Sequence, residues 1–260
     1  MLYKPKGKAA EYAAWAINHY HGCTHQCRYC YAPAVTRKSR AGFHWEASPK
    51  LDAPRVLRHQ LEVFERRGES VQGGVLMSFL GDPYQPAETE LSLTRQLICC
   101  LIDHGIQFTV LTKGGLRACR DFDLLRNFTG ASFGTSIVWM DQKLADKWEP
   151  AAAPIAERIE AIEWAREQMI PTWVSLEPVI DPDQAMRVIR GLIDVVDFWR
   201  IGKINYMPDI EREVDWCKFA NEVAVLLTSA GAQYQFKRSL EGYLNGSVDA
   251  MQTSVCCGST

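Results

Sequence analysis

Short apolar runs alternate with amphipathic stretches along this chain, and that alternation limits the fold more than any other feature. Residues 75–80, 108–112, 132–138, 172–176 and 198–204 are rich in branched and aromatic side chains and bounded by Gly, Pro or Asp. Such runs predict strands buried on both faces. A first strand is expected near residues 12–18 and a short last one at 233–237. Between them, residues 88–104 place Leu91, Thr94, Leu97 or Ile98, and Leu101 along one stripe, with Gly105 where a helix stops. Residues 154–169 align Ile155, Ile159, Ile162 and Met169 behind a proline tolerated in a first turn. Asp181-Pro182 reads as an N-cap and first helical residue, and a further helix is expected over 211–229. Repeated strand–helix units imply parallel strands joined by right-handed crossovers. An open doubly wound sheet and an incomplete barrel both satisfy this α/β pattern. In either, chemistry sits at the carboxyl ends of the strands.

The chain has nine cysteines: Cys23, Cys27, Cys30, Cys99, Cys100, Cys119, Cys217, Cys256 and Cys257. The odd count, irregular spacing and lack of an apolar leader speak against a disulfide framework and set a cytoplasmic expectation. No apolar run is long enough to span a membrane. A formal net charge of −2 excludes a polycation that coats nucleic acid indiscriminately. Local basic runs do occur, at Arg37, Lys38 and Arg40 and again at Arg55, Arg58, Arg66 and Arg67. They read as a solvated face or as a docking patch.

The densest chemistry lies in Gly22-Cys23-Thr24-His25-Gln26-Cys27-Arg28-Tyr29-Cys30-Tyr31. Three thiolates at C-x3-C-x2-C spacing suit three irons of a cubane and leave the fourth iron open, where iron–sulfur clusters otherwise take four cysteines. Zinc is the alternative, with His25 or His21 as a fourth ligand, although structural zinc prefers two paired knuckles. Three independent core cysteines are the remaining reading. Downstream, strand ends carry Gly81 and Asp82, then Lys113, then Ser136, then Glu177, and finally Arg200, Lys203 and Asn205. Asp82 is suited to accept hydrogen bonds from an amine or ribose, and Lys113 to pair with a carboxylate. Gly81-Asp82-Pro83 is equally strong turn chemistry.

At these residues the chain resembles the radical S-adenosylmethionine (radical SAM) superfamily, whose cysteine signature has this spacing, and within it the spore photoproduct lyase-like family. The resemblance runs from Tyr20 to about Ile180 and includes Gly81-Asp82-Pro83-Tyr84-Gln85-Pro86, Leu111-Thr112-Lys113, Arg120-Asp121-Phe122, Thr135-Ser136-Ile137, Glu149-Pro150 and Arg158-Ile159-Glu160. It implies a partial (β/α)6 barrel over residues 1–237, with a short tail, 238–260, that could cover the barrel mouth.

The resemblance also implies a [4Fe–4S] cluster on Cys23, Cys27 and Cys30, with S-adenosylmethionine on the open iron. A reductant such as flavodoxin or ferredoxin would drive cleavage to a 5′-deoxyadenosyl radical that removes a hydrogen atom. A nucleic-acid base is the candidate substrate. Gly81, Asp82, Lys113 and Ser136 are the implied cofactor contacts. Tyr29 and Tyr31 match tyrosines that contact the cofactor or relay hydrogen, with Tyr31 the catalytic candidate and Tyr29 also placed to shield the cluster. One departure stands out: residues 71–80 lack the hydrogen-donating cysteine of spore photoproduct lyase. Cys256 and Cys257 are the only tail thiols that could stand in for it. The rival reading is a zinc-stabilised nucleic-acid-binding module without catalysis.

Overall fold

In the computed structural model, residues 1–244 are described. Cys256 and Cys257 lie outside them. Among the described residues ten strands form: β1 (Leu2–Tyr3), β2 (Trp15–Ile17), β3 (Tyr20–His21), β4 (Ser48–Pro49), β5 (Val75–Met77), β6 (Phe108–Thr112), β7 (Ala131–Ser136), β8 (Thr172–Val179), β9 (Phe198–Lys203) and β10 (Gln233–Phe236). β3 and β4 pair as a small ribbon, and the other eight make one sheet in the order β1-β2-β5-β6-β7-β8-β9-β10. From β2 to β10 every pairing is parallel, and β1 adds antiparallel to β2. The order never reverses. With right-handed crossovers, a sheet that never reverses keeps all its helices on one face and curls around the other. A doubly wound sheet would reverse direction. β2 and β10 do not pair, so the barrel stays open.

The crossover helices include Ala53–Arg66, Leu93–Asp103, Ile155–Glu167, Pro182–Leu192 and Trp216–Ser229. They bury the outer strand face: Val75, Met77, Phe108, Val110, Phe133, Val174, Leu176 and Ile201 belong to one core with Leu57, Leu97, Ile162, Ile189 and Val223. The inner face is polar instead. Trp173 lies flat against Gly134 and donates to Thr109 Oγ1 at 2.7 Å, while Glu177 fills the space over Gly202. Tyr12 enters this lumen and bonds Ser175 and the Glu177 carboxylate, with Arg200 and Lys237 over its ring.

Two expected helices are broken. The 88–104 stretch divides into Glu88–Leu91 and Leu93–Asp103 at Ser92, whose φ is +48°. The Glu88 carboxylate accepts from Thr94 N at 2.8 Å and so caps the second piece. The 211–229 helix divides into Pro208–Glu213 and Trp216–Ser229 because Asp215 caps the latter through Lys218 N. Asp181 caps its helix as expected. At the far end, the short helix Arg238–Glu241 packs on the sheet with Leu240 fully buried.

Two consequences are measurable. A Cβ at Gly134 would stand 2.1 Å from the Trp173 ring, so Gly134→Ala should cost about 1–3 kcal/mol in urea unfolding. His19, fully buried, meets Thr94 Oγ1 at 2.9 Å, and burial lowers its pKa to about 3. The unfolded chain binds a proton there below about pH 6.5 while the native one does not. Stability should therefore fall as pH drops from 6.5 toward 3, and His19→Asn should flatten that part of the stability profile.

Candidate active site

The cysteine loop leaves the carboxyl end of β2. It turns sharply at Gly22, φ +92°, where a Cβ would lie 2.3 Å from the Glu46 carbonyl. Cys23 and Cys27 are buried and Cys30 is half-buried. Among the described residues, no strand pairs with this loop. Cys23 N donates to Phe43 O at 3.2 Å, and His44 Nδ1 lies 2.8 Å from Cys23 O. The Arg40 guanidinium donates to the carbonyls of Cys27 at 3.0 Å, Arg28 at 2.6 Å and Cys30 at 3.1 Å. Arg40, counted above in a basic run, is therefore a brace of the cysteine loop. Arg55 and Arg58 pair with Asp52 and Asp103 at the surface, so the basic runs do not form one unpaired docking face.

Asp82 sits at the centre of the next layer. Its carboxylate accepts from Tyr84 N at 2.8 Å, Thr112 Oγ1 at 2.6 Å and Lys113 N at 2.7 Å, with His25 Nδ1 at 3.5 Å. Burial alone would raise its pKa, but these donors outweigh burial and hold it below the usual carboxylate value. Burial lowers His25 to about 4, so its imidazole is neutral at pH 7. Asp82 thus ties the cysteine loop to the end of β6. Gly81, φ +128°, allows close approach to Gly22, whose carbonyl would lie 3.0 Å from an added Cβ.

Beneath Cys27 runs a second buried network. Tyr29 donates its hydroxyl to Glu149, and Arg158 makes an ion pair with the same carboxylate. Arg158 also donates to Ala153 O at 2.8 Å and to Ser136 O at 3.2 Å. Glu149 and Arg158 are 2% and 1% exposed, so each depends on the other for its charge. Backbone bonds join the same layers: Arg28 N to Trp148 O at 2.8 Å, Ala151 N to His25 O at 3.2 Å and Ala153 N to Lys113 O at 3.0 Å. Lys113 Nζ stands 5.6 Å over the Tyr29 ring. Burial would depress this ammonium, but negative charge on the Cys27 sulfur as thiolate and on the Glu149 carboxylate outweighs burial and raises its pKa.

Burial pushes the Cys27 thiol up to about 12 and also raises Cys23 and Cys30. Loading metal must therefore expel protons from these sulfurs. The donor set fits a cluster. Buried Thr24 Oγ1, His25 Nε2 and Gln85 Nε2, on the loop or facing it, have no partner among the described residues. Among those residues, no three His, Cys, Asp or Glu side chains converge on a point where one ion could sit. Three thiols on one loop would serve a cubane, each meeting a different iron. His21 is exposed, and His25 turns Nδ1 toward Asp82 at 3.5 Å and leaves Nε2 without a partner among the described residues.

Around the mouth, Ser136 ends β7 buried, and Tyr31 is 39% exposed with its hydroxyl donating to Phe79 O at 3.1 Å. The structure therefore brings Tyr29 and Lys113 together beside Cys27 and links Ser136 to them through Arg158. It does not gather the late candidates. Arg200 points into the lumen and donates to Glu11 O at 2.9 Å. Lys203 is on the other strand face, paired with Glu211, and Asn205 accepts from Lys8. Positions 200 and 203 have opposite parity in a strand, so they cannot share the mouth. Sequence reasoning missed Tyr12, Arg40, Glu149 and Arg158 as site-building residues. Only Glu149 and Arg158 had a signal, as parts of a family-like pattern without a role.

The sequence model of the Radical SAM superfamily matches residues 17–196. An uncharacterized protein of Methanocaldococcus jannaschii is 29% identical over 171 residues, 66% of this chain and 62% of its own length. An uncharacterized protein of Mycobacterium tuberculosis is 29% identical over 186 residues, 69% of this chain and 53% of its own. The chain thus spans less than two thirds of these curated relatives. Among solved structures, Streptococcus suis SuiB bound to S-adenosylmethionine superposes with a TM-score of 0.59 at 12% identity, over 83% of this chain and 44% of that one. A spore photoproduct lyase mutant with bound AdoMet and dinucleoside spore photoproduct gives 0.56 at 15% identity, over 77% and 59%. Those two likenesses are of fold alone. With the match over residues 17–196 and the geometry above, the chain belongs to the radical SAM superfamily, whose domain implies S-adenosylmethionine and an iron–sulfur cluster.

Proposed function

We propose that this chain is a radical enzyme that holds a [4Fe–4S] cluster on Cys23, Cys27 and Cys30 and seats S-adenosylmethionine beside it. The observation that carries this reading is the loop itself. Three thiols sit on one segment at the carboxyl end of the first barrel strand, braced by a single guanidinium. When bound, the cluster and S-adenosylmethionine would supply a 5′-deoxyadenosyl radical able to take a hydrogen atom from an unreactive carbon, given an electron from a reductant such as flavodoxin or ferredoxin.

The chain's own residues position and shield. Lys113 offers a charge for the carboxylate of S-adenosylmethionine, and Ser136 a hydroxyl one strand away. Gly81 and Asp82 serve the cofactor chiefly by fixing the end of β6, because donors from within the protein already surround Asp82. Tyr29 covers Cys27, and Tyr31 is the phenol that reaches the mouth, where it is placed to act on substrate. Substrate enters the polar lumen, toward Tyr12, Trp173, Glu177 and Arg200. A nucleic-acid base is the proposed substrate class, supported by the likeness in fold to a lyase crystallised with a dinucleoside. No helix among the described residues is long and apolar enough to cross a membrane.

Anaerobic reconstitution tests the reading. The wild-type chain should hold about four irons and, once reduced, convert S-adenosylmethionine to 5′-deoxyadenosine. Cys27→Ala should do neither. One tightly bound zinc and no 5′-deoxyadenosine would overturn it. Arg40→Ala should keep the cysteines but lose iron to a chelator several-fold faster, since it removes hydrogen bonds worth about 1 kcal/mol each.

A further inference from the structure

The Glu149–Arg158 pair plays no part in the chemistry proposed above, yet it touches every layer of the site. Through Tyr29 it reaches the cysteine loop between Cys27 and Cys30. Through Arg158 it reaches the end of β7 at Ser136 O. Its own segment, 148–153, bonds the backbone of His25, Arg28 and Lys113. The pair is almost wholly buried, and so is the Asp82 carboxylate across the loop.

The charges here are few and can be counted. Arg158 and Lys113 are the cations beside Cys27 on its inner side, exposed Arg40 braces the loop carbonyls from outside, and Glu149 is the anion facing the first two. Asp82 is the other anion, and its hydrogen bonds come from Tyr84, Thr112 and the Lys113 main chain. Without Glu149, the buried Arg158 would face the cluster site with no carboxylate partner, and half-buried Lys113 would keep only the Asp82 carboxylate beside it. Positive charge favours the reduced, more negative state of an iron–sulfur centre, and in a water-poor site the effect is strong.

We propose that Glu149 is a positioning residue that sets the cluster's reduction potential: its carboxylate offsets Arg158 and Lys113, keeping the reduced cluster a strong reductant, and tethers the cysteine loop through the Tyr29 hydroxyl. The inference rests on the cluster reading above. It assigns a task to a buried ion pair that would otherwise count as packing. It also explains why a charged network lies under a metal loop where apolar side chains of similar volume would fill the space as well.

Two variants in the reconstituted full chain separate the two tasks. Glu149→Gln keeps the shape and removes the charge, so the cluster potential, followed by its EPR signal in a redox titration, should move to more positive values at unchanged iron content. Tyr29→Phe keeps every charge and removes the tether. It should hold the wild-type potential but release iron to a chelator several-fold faster. Glu149→Asp, which retains the charge, should restore the potential toward wild type. A Glu149→Gln potential equal to wild type, or a negative shift, overturns the electrostatic task, and unchanged iron release in Tyr29→Phe overturns the tether. Should Glu149→Gln not fold, Glu149→Asp and Tyr29→Phe decide: a potential that shifts in both as the loop loosens sinks the charge argument. If the wild-type chain binds no iron, the cluster reading itself fails and this inference falls with it.

Discussion

Backbone at the carboxyl ends of parallel strands has no ladder partner, and buried polar groups must be satisfied somewhere. This chain meets that demand with three charged side chains. Asp82 collects amide and hydroxyl donors from Tyr84, Thr112 and Lys113. Arg40 donates to three carbonyls of the cysteine loop. Arg158, paired with Glu149, donates to Ala153 and Ser136. Charge-assisted bonds of this kind are stronger than neutral ones and give directions as well as energy. The placement of every thiol and cofactor candidate depends on them.

The same economy explains the two faces of the sheet. Outside, branched and aromatic residues meet the crossover helices and hold the barrel together. Inside, Ser175, Glu177, Arg200 and Trp173 replace a second apolar core. Tyr12, just ahead of β2, enters the lumen, where its ring and hydroxyl satisfy those polar neighbours. An open barrel with a polar lumen is less tightly packed than a closed one, and the openness gives access to the site. Stability comes from the outer layer and chemistry from the inner one.

Much of this was legible in the residues. The apolar runs at 108–112 and 198–204 fall on β6 and β9 because a strand buried on its outer face announces itself by composition. Asp181-Pro182 starts a helix because the cap and the proline act locally. The break at Ser92 was hidden, since the stripe of Leu91, Thr94, Leu97 and Leu101 continues across it and only the distant geometry of Glu88 makes the left-handed residue tolerable. Arg40 looked like one of several surface arginines, because nothing local distinguishes a guanidinium aimed at three carbonyls from one in water.

By itself, then, the amino-acid order determined what repeats or acts over a few residues: the strand–helix alternation, the helix starts, and three thiols close enough in sequence to serve one loop. Tertiary structure decided what depends on partners far along the chain. It chose the open barrel over the doubly wound sheet by strand order, turned Lys203 away from the lumen by strand parity, and made Asp82, Arg40 and the Glu149–Arg158 pair the framework of the site. The physical reason is desolvation. A side chain's role in a buried network follows from which unpaired groups the fold brings to it, and those groups are not its neighbours in sequence.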